Sequence, residues 1–206
     1  MPTDLPNLLT LARIAAIPLL ILCMALRSDA GDAFACLVFA LAAITDYLDG
    51  AIARSRGQIS AFGRMLDPIA DKLLVGATLM MLAGTGRLGD WGVYPAIAVM
   101  LREILVSGLR EFLAGARIGL PVTRLAKWKT AAQMGALGAL VAGNGTAALL
   151  GIAWLPVALI GLVLLWVAAL LTLVTGWGYL MAGLRHVSAP PVPAPPVPTM
   201  PEARGG

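Results

Sequence analysis

Four aspartates lie close together in the sequence, in the order Asp46, Asp49, Asp67 and Asp71. Asp46 and Asp49 are three residues apart and Asp67 and Asp71 are four apart, so on helices each pair would share one face. Four carboxylates at close range repel one another unless cations bridge them, and oxygen-only ligands favour hard ions such as Mg²⁺ or Mn²⁺. Two such ions can hold the attacking and leaving oxygens of a phosphoryl transfer. The spacing therefore predicts a metal-dependent site.

Structural ion pairs are a second explanation for these carboxylates. The candidate cations lie in or near the connection between the two pairs, and they are Arg54, Arg56, Arg64 and Lys72. Spacing alone does not decide between the two explanations. Gly50 and Ala53 continue the helical face of Asp46 and Asp49, so they leave room beside the acids for a flat or bulky group.

The composition indicates that the acids are carried by membrane helices. Of the 206 residues, 59% are hydrophobic and 13% are charged, with a mean hydropathy of +0.87. Soluble domains are about 45–50% apolar and about 25% charged. Six spans of about 20 residues would use most of the chain, so the chemistry must come from the helices and their short connections. A nucleic-acid partner is not expected, because no basic run is interleaved with aromatic residues.

The pattern predicts an all-α integral membrane protein with six transmembrane helices. The apolar stretches are Leu8–Leu26, Ala33–Ala53, Leu66–Gly84, Trp91–Leu113, Trp128–Gly143 and Ile152–Leu184. Lys and Arg concentrate in the second and fourth connections, which places those connections in the cytoplasm and, with six spans, both termini as well. We expect residues 1–187 to form the membrane domain and the Pro-rich residues 188–206 to form a disordered cytoplasmic tail.

The whole string around the acids resembles the motif of the CDP-alcohol phosphatidyltransferase family. It reads Asp46-x2-Asp49-Gly50-x2-Ala53-Arg54-x8-Gly63-x3-Asp67-x3-Asp71, which matches the family's D-x2-D-G-x2-A-R-x8-G-x3-D-x3-D at every position. The resemblance implies a homodimer of six-helix chains. It also implies an enzyme that transfers a phosphatidyl or similar group from a CDP-linked donor to an alcohol and releases CMP.

The resemblance also implies roles for individual residues. Asp46, Asp49 and Asp67 would hold one divalent cation, Mg²⁺ or Mn²⁺, and Asp46, Asp67 and Asp71 would hold a second. Asp71 would be the general base that takes the proton of the acceptor hydroxyl. The expected donor is CDP-diacylglycerol, and the residues expected to bind it are Asn7, Thr10, Arg13, Gly50, Ala53, Arg54 and Ser60.

Three further segments resemble bacterial family members that use glycerol 3-phosphate as the acceptor. They are residues 5–13, 102–111 and 127–134. A free phosphate needs cations, and the planar guanidinium of Arg suits it by bidentate geometry. The expected acceptor-phosphate ligands are Arg102, Arg110, Arg117, Arg124, Lys127 and Lys129, each of which could instead be an ordinary cytoplasmic-side cation. Glu103 and Glu111 are expected to orient these cations rather than to act in chemistry.

The expected reaction is therefore phosphatidyl transfer from CDP-diacylglycerol to glycerol 3-phosphate. Inositol phosphate, serine or phosphatidylglycerol are alternative acceptors, and a divalent-cation transporter is an alternative from another class. The N-terminal residues lack the Arg- and Ser-rich composition of an organellar transit peptide, which favours a bacterial plasma membrane with the active site facing the cytoplasm.

Overall fold

The computed structural model describes residues 5–56, 61–115 and 124–187, and within these ranges it contains six α-helices and no strand. They are α1 (Leu5–Ala25), α2 (Asp29–Arg56), α3 (Ala61–Gly84), α4 (Gly89–Gly115), α5 (Arg124–Leu149) and α6 (Val157–Val187). The all-helical class and the number of helices are confirmed. The predicted Pro-rich tail lies outside the described residues.

Three of these helices are long and apolar enough to cross a membrane by length and composition. The stretches are Asn7–Ala25 in α1, Gly89–Gly115 in α4 and Val157–Met181 in α6. Large apolar side chains such as Leu22, Leu101 and Leu170 are exposed on the outer faces, as expected of a membrane protein whose surroundings are lipid. The other three helices carry the acids and most of the predicted cytoplasmic cations, which lowers their hydropathy. That these three helices also cross the membrane stays a prediction.

The helix packing places α1 between the two helices that carry the acids. α1 packs against both α2 and α3, whereas α2 and α3 make few contacts with each other in the described part of the chain. α2 also packs against α5, α5 packs along α6, and α6 packs against α4. Leu20, Phe39, Leu79, Leu137 and Leu140 are among the buried residues of the shared core. Because α1 packs against both acid-bearing helices, its polar residues are placed to contact the acids of both.

The α5–α6 contact depends on a glycine. A Cβ added at Gly161 would lie 2.8 Å from Leu140 Cγ and 3.0 Å from the Leu140 backbone nitrogen. Both distances are shorter than van der Waals contact, so any larger residue at position 161 would push the helices apart. Small residues at such contacts let membrane helices approach closely.

The fifth helix extends beyond the predicted apolar stretch, which ends at Gly143 just before the turn-prone pair Asn144-Gly145. The helical path does break there, at Gly143 (φ 62°, ψ −176°), but helix resumes and runs to Leu149. Next to this break, Arg87 donates from NH1 to the Val141 carbonyl at 2.9 Å. Arg87 also pairs with Asp32 at the start of α2. The sixth helix begins at Val157 rather than at Ile152, because turns follow Gly151, which has a φ of 75°.

Candidate active site

Arg13 joins the two acid-bearing helices. Its NH1 lies 2.8 Å from Asp46 Oδ1 on α2 and 3.0 Å from Asp71 Oδ1 on α3. The Arg13 side chain is fully buried, whereas those of Asp46 and Asp71 are 44% and 52% exposed. The two carboxylate oxygens therefore converge on one nitrogen and lie no farther apart than the sum of these distances. The prediction that the two acid pairs come together is confirmed for Asp46 and Asp71.

The same side of α1 reaches the third described acid. Thr10 donates from Oγ1 to Asp67 Oδ1 at 2.6 Å, and Asn7 and Thr10 are both buried. Asn7, Thr10 and Arg13 follow one another at intervals of three residues, which keeps them on neighbouring positions of one helix face. All three α1 residues predicted from the sequence thus point into the bundle, and two of them contact the acids.

We call Asp46, Asp67 and Asp71, together with Arg13, the acidic group. It contains three carboxylates and one guanidinium, so it retains negative charge. Carboxylate and hydroxyl oxygens are the donors that hard divalent cations prefer, so the chemistry of this group fits such ions. Among the described side chains no three acidic, His or Cys residues are grouped closely enough to hold a metal ion.

Several predicted site residues lie outside what the structure describes. Ser60 and Arg117 fall outside the described ranges, and five other predicted residues lie on helices but have side chains outside the description: Asp49, Gly50, Ala53, Arg54 and Arg124. Asp49, Gly50 and Ala53 lie on α2 as predicted. Arg54 and Arg124 lie outside the predicted apolar stretches, yet they are helical, on α2 and at the start of α5. The alternative ion-pair partners Arg54, Arg56 and Arg64 are likewise not described as side chains. Lys72 donates to the Pro68 carbonyl at 2.9 Å, so this predicted partner interacts with its own helix.

A second polar cluster, which we call the basic group, joins α4, α5 and α6. It consists of Arg102, Glu103 and Lys129. Glu103 Oε1 accepts from Lys129 Nζ and lies 3.4 Å from Arg102 NH1. Lys129 is buried and the Arg102 side chain is 10% exposed. Two cations share one carboxylate here, so the group retains positive charge, and the prediction that Glu103 orients the neighbouring cations agrees with these contacts.

Arg102 is also held by α6, through residues that the sequence analysis did not identify. Its NH2 donates to Thr175 Oγ1 at 3.0 Å, and its guanidinium carbon lies 5.8 Å from the centroid of the Tyr179 ring. Thr172, Thr175 and Tyr179 form a polar stripe at helical spacing on the most apolar helix, which is a signal the sequence did contain. Arg110 and Lys127, in contrast, are exposed.

The acidic and basic groups lie at similar depth. α2 and α5 run antiparallel, with Asp29 against Gly145 and with Cys36 and Phe39 against Gly138. We measure depth from the contact between Phe39 and Gly138, at 1.5 Å per residue. Asp46 lies about 10 Å from it along α2, and Lys129 lies about 14 Å from it along α5 in the same direction. The two groups are therefore within about one helical turn of each other in depth. A region suited to cations therefore lies at a depth similar to that of a region suited to an anion, as a reaction of phosphorylated substrates bound together with divalent ions requires.

Comparisons with known proteins agree with this chemistry. A sequence model described as CDP-alcohol phosphatidyltransferase matches residues 3–182. A protein of Rickettsia bellii named CDP-diacylglycerol–glycerol-3-phosphate 3-phosphatidyltransferase is 48% identical over 179 residues, covering 87% of this chain and 94% of its own. Proteins with the same name from Cereibacter sphaeroides and Shigella flexneri are 38% and 39% identical, and they cover 89% and 88% of this chain and 97% and 96% of their own.

Proposed function

Because this chain belongs to the CDP-alcohol phosphatidyltransferase family, we propose that it transfers the phosphatidyl group of CDP-diacylglycerol to glycerol 3-phosphate and releases CMP. The relatives that share its length carry the name of that activity. The observation that supports the proposal is that the acidic group and the basic group lie at similar depth, with Asp46 and Lys129 on the neighbouring helices α2 and α5. A donor diphosphate and an acceptor phosphate are the kinds of ligand that such a pair would hold.

Divalent metal ions are used generally in this family, and the donors here are those that Mg²⁺ or Mn²⁺ prefers. In our proposal Asp46, Asp49 and Asp67 would hold one ion, and Asp46, Asp67 and Asp71 would hold another. When bound, such ions neutralise charge on the diphosphate and on the departing CMP. Arg13 would then share the carboxylates with them, and it would keep Asp46 and Asp71 oriented.

The reaction requires one new bond and one proton transfer. The 1-hydroxyl oxygen of glycerol 3-phosphate attacks the phosphorus that bears diacylglycerol, and the bond from that phosphorus to the oxygen of CMP breaks. Asp71 takes the hydroxyl proton. Most of the rate enhancement in such a transfer comes from positioning and from neutralising charge, which is the task of the two charged groups.

Substrate binding is divided between the two sides of the bundle. The donor's cytidine diphosphate lies against the acid-bearing helices, where we assign Asn7, Thr10, Arg13, Gly50, Ala53, Arg54 and Ser60, while its acyl chains stay in the lipid. Lys129 receives the acceptor phosphate, assisted by Arg110, Arg117, Arg124 and Lys127 near the same end of the bundle. Arg102 supports Glu103 and α6, in addition to any direct contact with the phosphate.

We further propose that all six helices cross a bacterial plasma membrane, with both termini and the active site on the cytoplasmic side. The distribution of Lys and Arg supports this orientation. The protein acts as a homodimer, as the family resemblance implies, and residues 188–206 form a cytoplasmic tail outside the catalytic domain of residues 1–187.

The test is CMP release by the full-length, detergent-solubilised protein with CDP-diacylglycerol and Mg²⁺, with one acceptor alcohol offered at a time. We expect release with glycerol 3-phosphate. Release only with inositol phosphate, serine or phosphatidylglycerol would overturn the assigned acceptor while keeping the reaction. Absence of release with every acceptor, together with ion flux in proteoliposomes, would favour a divalent-cation transporter, although the described carboxylates at the site occupy one end of the bundle.

A further inference from the structure

Gln133 has a buried amide oxygen that no described residue binds. The residue lies on α5 one turn after Lys129 and is 4% exposed, and its Oε1 has no hydrogen-bond partner among the described residues. A buried polar atom without a partner costs about 1–3 kcal/mol, so such atoms are rare in folded proteins. An unused acceptor inside a binding region indicates a ligand that donates a hydrogen bond.

The position of Gln133 places it at the proposed site. It shares a helix face with Lys129, four residues earlier. It lies about 8 Å along α5 from the Gly138 contact with α2, whereas Asp46 lies about 10 Å along α2 from the same contact. The two residues are thus at nearly the same depth on neighbouring helices.

Three other buried oxygens without a hydrogen-bond partner among the described residues are less informative. One of them, Asp32 Oδ1, is already ion-paired with Arg87. Thr146 and Thr172 also carry such hydroxyl oxygens, but a Thr hydroxyl on a helix can donate to the carbonyl one turn earlier after a rotation about χ1. The Gln133 oxygen can only accept, and the backbone donors around it are used by the helix. Its partner must therefore come from outside α5.

We infer that Gln133 Oε1 accepts a hydrogen bond from the secondary hydroxyl of glycerol 3-phosphate and so determines which acceptor is used. The inference rests on the proposed function, because the acceptor's other groups are assigned there. In that assignment the phosphate of glycerol 3-phosphate lies toward Lys129 and its primary hydroxyl lies toward Asp71. The secondary hydroxyl is left as a hydrogen-bond donor that needs a partner. A site built to bind a substrate hydroxyl discriminates against the analogue that lacks it, because the buried acceptor is then left unpaired.

The test compares glycerol 3-phosphate with 3-hydroxypropyl phosphate, which lacks only the secondary hydroxyl. CMP release by the full-length protein gives kcat/KM for each acceptor, and their ratio measures the preference. We expect the wild-type protein to prefer glycerol 3-phosphate about 10- to 100-fold. Gln133→Met removes the acceptor at similar volume and should bring the ratio close to one. Gln133→Glu retains an acceptor oxygen and should keep the preference.

Thr146→Val is the matched control, because it removes a buried oxygen from the same helix near the opposite end and should leave the ratio unchanged. The ratio is measured within each variant, so a reduced folded fraction cancels. A Gln133→Met protein with the wild-type ratio, a Gln133→Glu protein without preference, or a wild-type protein that does not discriminate would each overturn the inference. Failure of the proposed function itself is distinguishable, because the wild-type protein would then release no CMP with glycerol 3-phosphate.

Discussion

Replacing Arg13 by Met should destabilise the protein through the two carboxylates that it bridges. The fully buried guanidinium lies 2.8 Å from Asp46 and 3.0 Å from Asp71. Breaking a fully buried pair costs about 3–5 kcal/mol, but both carboxylates are roughly half exposed, so solvent screens part of their charge. We therefore expect a loss of about 1–3 kcal/mol, which for a chain of this size lowers Tm by about 2–12 °C.

The measurement is thermal unfolding of detergent-solubilised protein, first in EDTA and then in saturating Mg²⁺. In EDTA the Arg13→Met protein should unfold at the lower temperature, because Asp46 and Asp71 then repel each other. Under the proposed metal site, Mg²⁺ should raise its Tm by more than that of the wild-type protein, since a cation again lies between the carboxylates. Arg27→Met is the control, because Arg27 follows the same helix and is exposed, with one weak contact of 3.5 Å to the Gly84 carbonyl.

Two results would refute this reasoning. Equal unfolding temperatures for the wild-type and Arg13→Met proteins in EDTA would mean that the bridge contributes nothing to stability. Equal stabilisation of both proteins by Mg²⁺ would mean that Arg13 and the cation do not share the carboxylates. A double-mutant cycle with Asp71→Asn isolates the pairwise coupling, which should be close to zero if the Arg13–Asp71 contact is not energetically significant.

Three other outcomes follow from the same contacts. Asp→Asn at position 46, 49, 67 or 71 should reduce CMP release by at least about 1,000-fold. The control Asp90→Asn, at the exposed start of α4, should leave the rate unchanged. Normal activity of the Asp71→Asn protein would exclude Asp71 as the general base. Lys129→Met should raise KM for glycerol 3-phosphate about 10-fold or more and leave KM for CDP-diacylglycerol unchanged. An equal rise in both KM values would contradict the assignment of Lys129 to the acceptor phosphate. Gly143→Ala should lower the free energy of unfolding by about 1–2 kcal/mol, because φ is 62° at this position. The kcat per folded molecule should not change. Unaltered thermal stability would show that the helix break tolerates a side chain.

The sequence alone was sufficient for the parts of this protein that depend on local spacing. The Asp pairs lie on helices α2 and α3 as predicted, because intervals of three and four residues specify one helical face whatever the tertiary packing. The family followed from the same string, and the six helices followed from the apolar stretches. The exact end of α5 did not follow, since the Asn144-Gly145 signal marks a break that Arg87 bridges from another part of the chain, and a turn signal carries no information about such a partner.

Only the tertiary structure identified the partners of the charged residues. Arg13 precedes Asp71 by 58 residues, and Lys129 follows Glu103 by 26, so neither contact has a signature in local spacing. The same holds for Gln133, whose significance depends on an oxygen without a partner among the described residues, at a depth close to that of Asp46. Helical periodicity determines which side chains share a face, but the contacts between faces depend on which helices are neighbours and at what depth, and that is settled by long-range packing around α1 and α5.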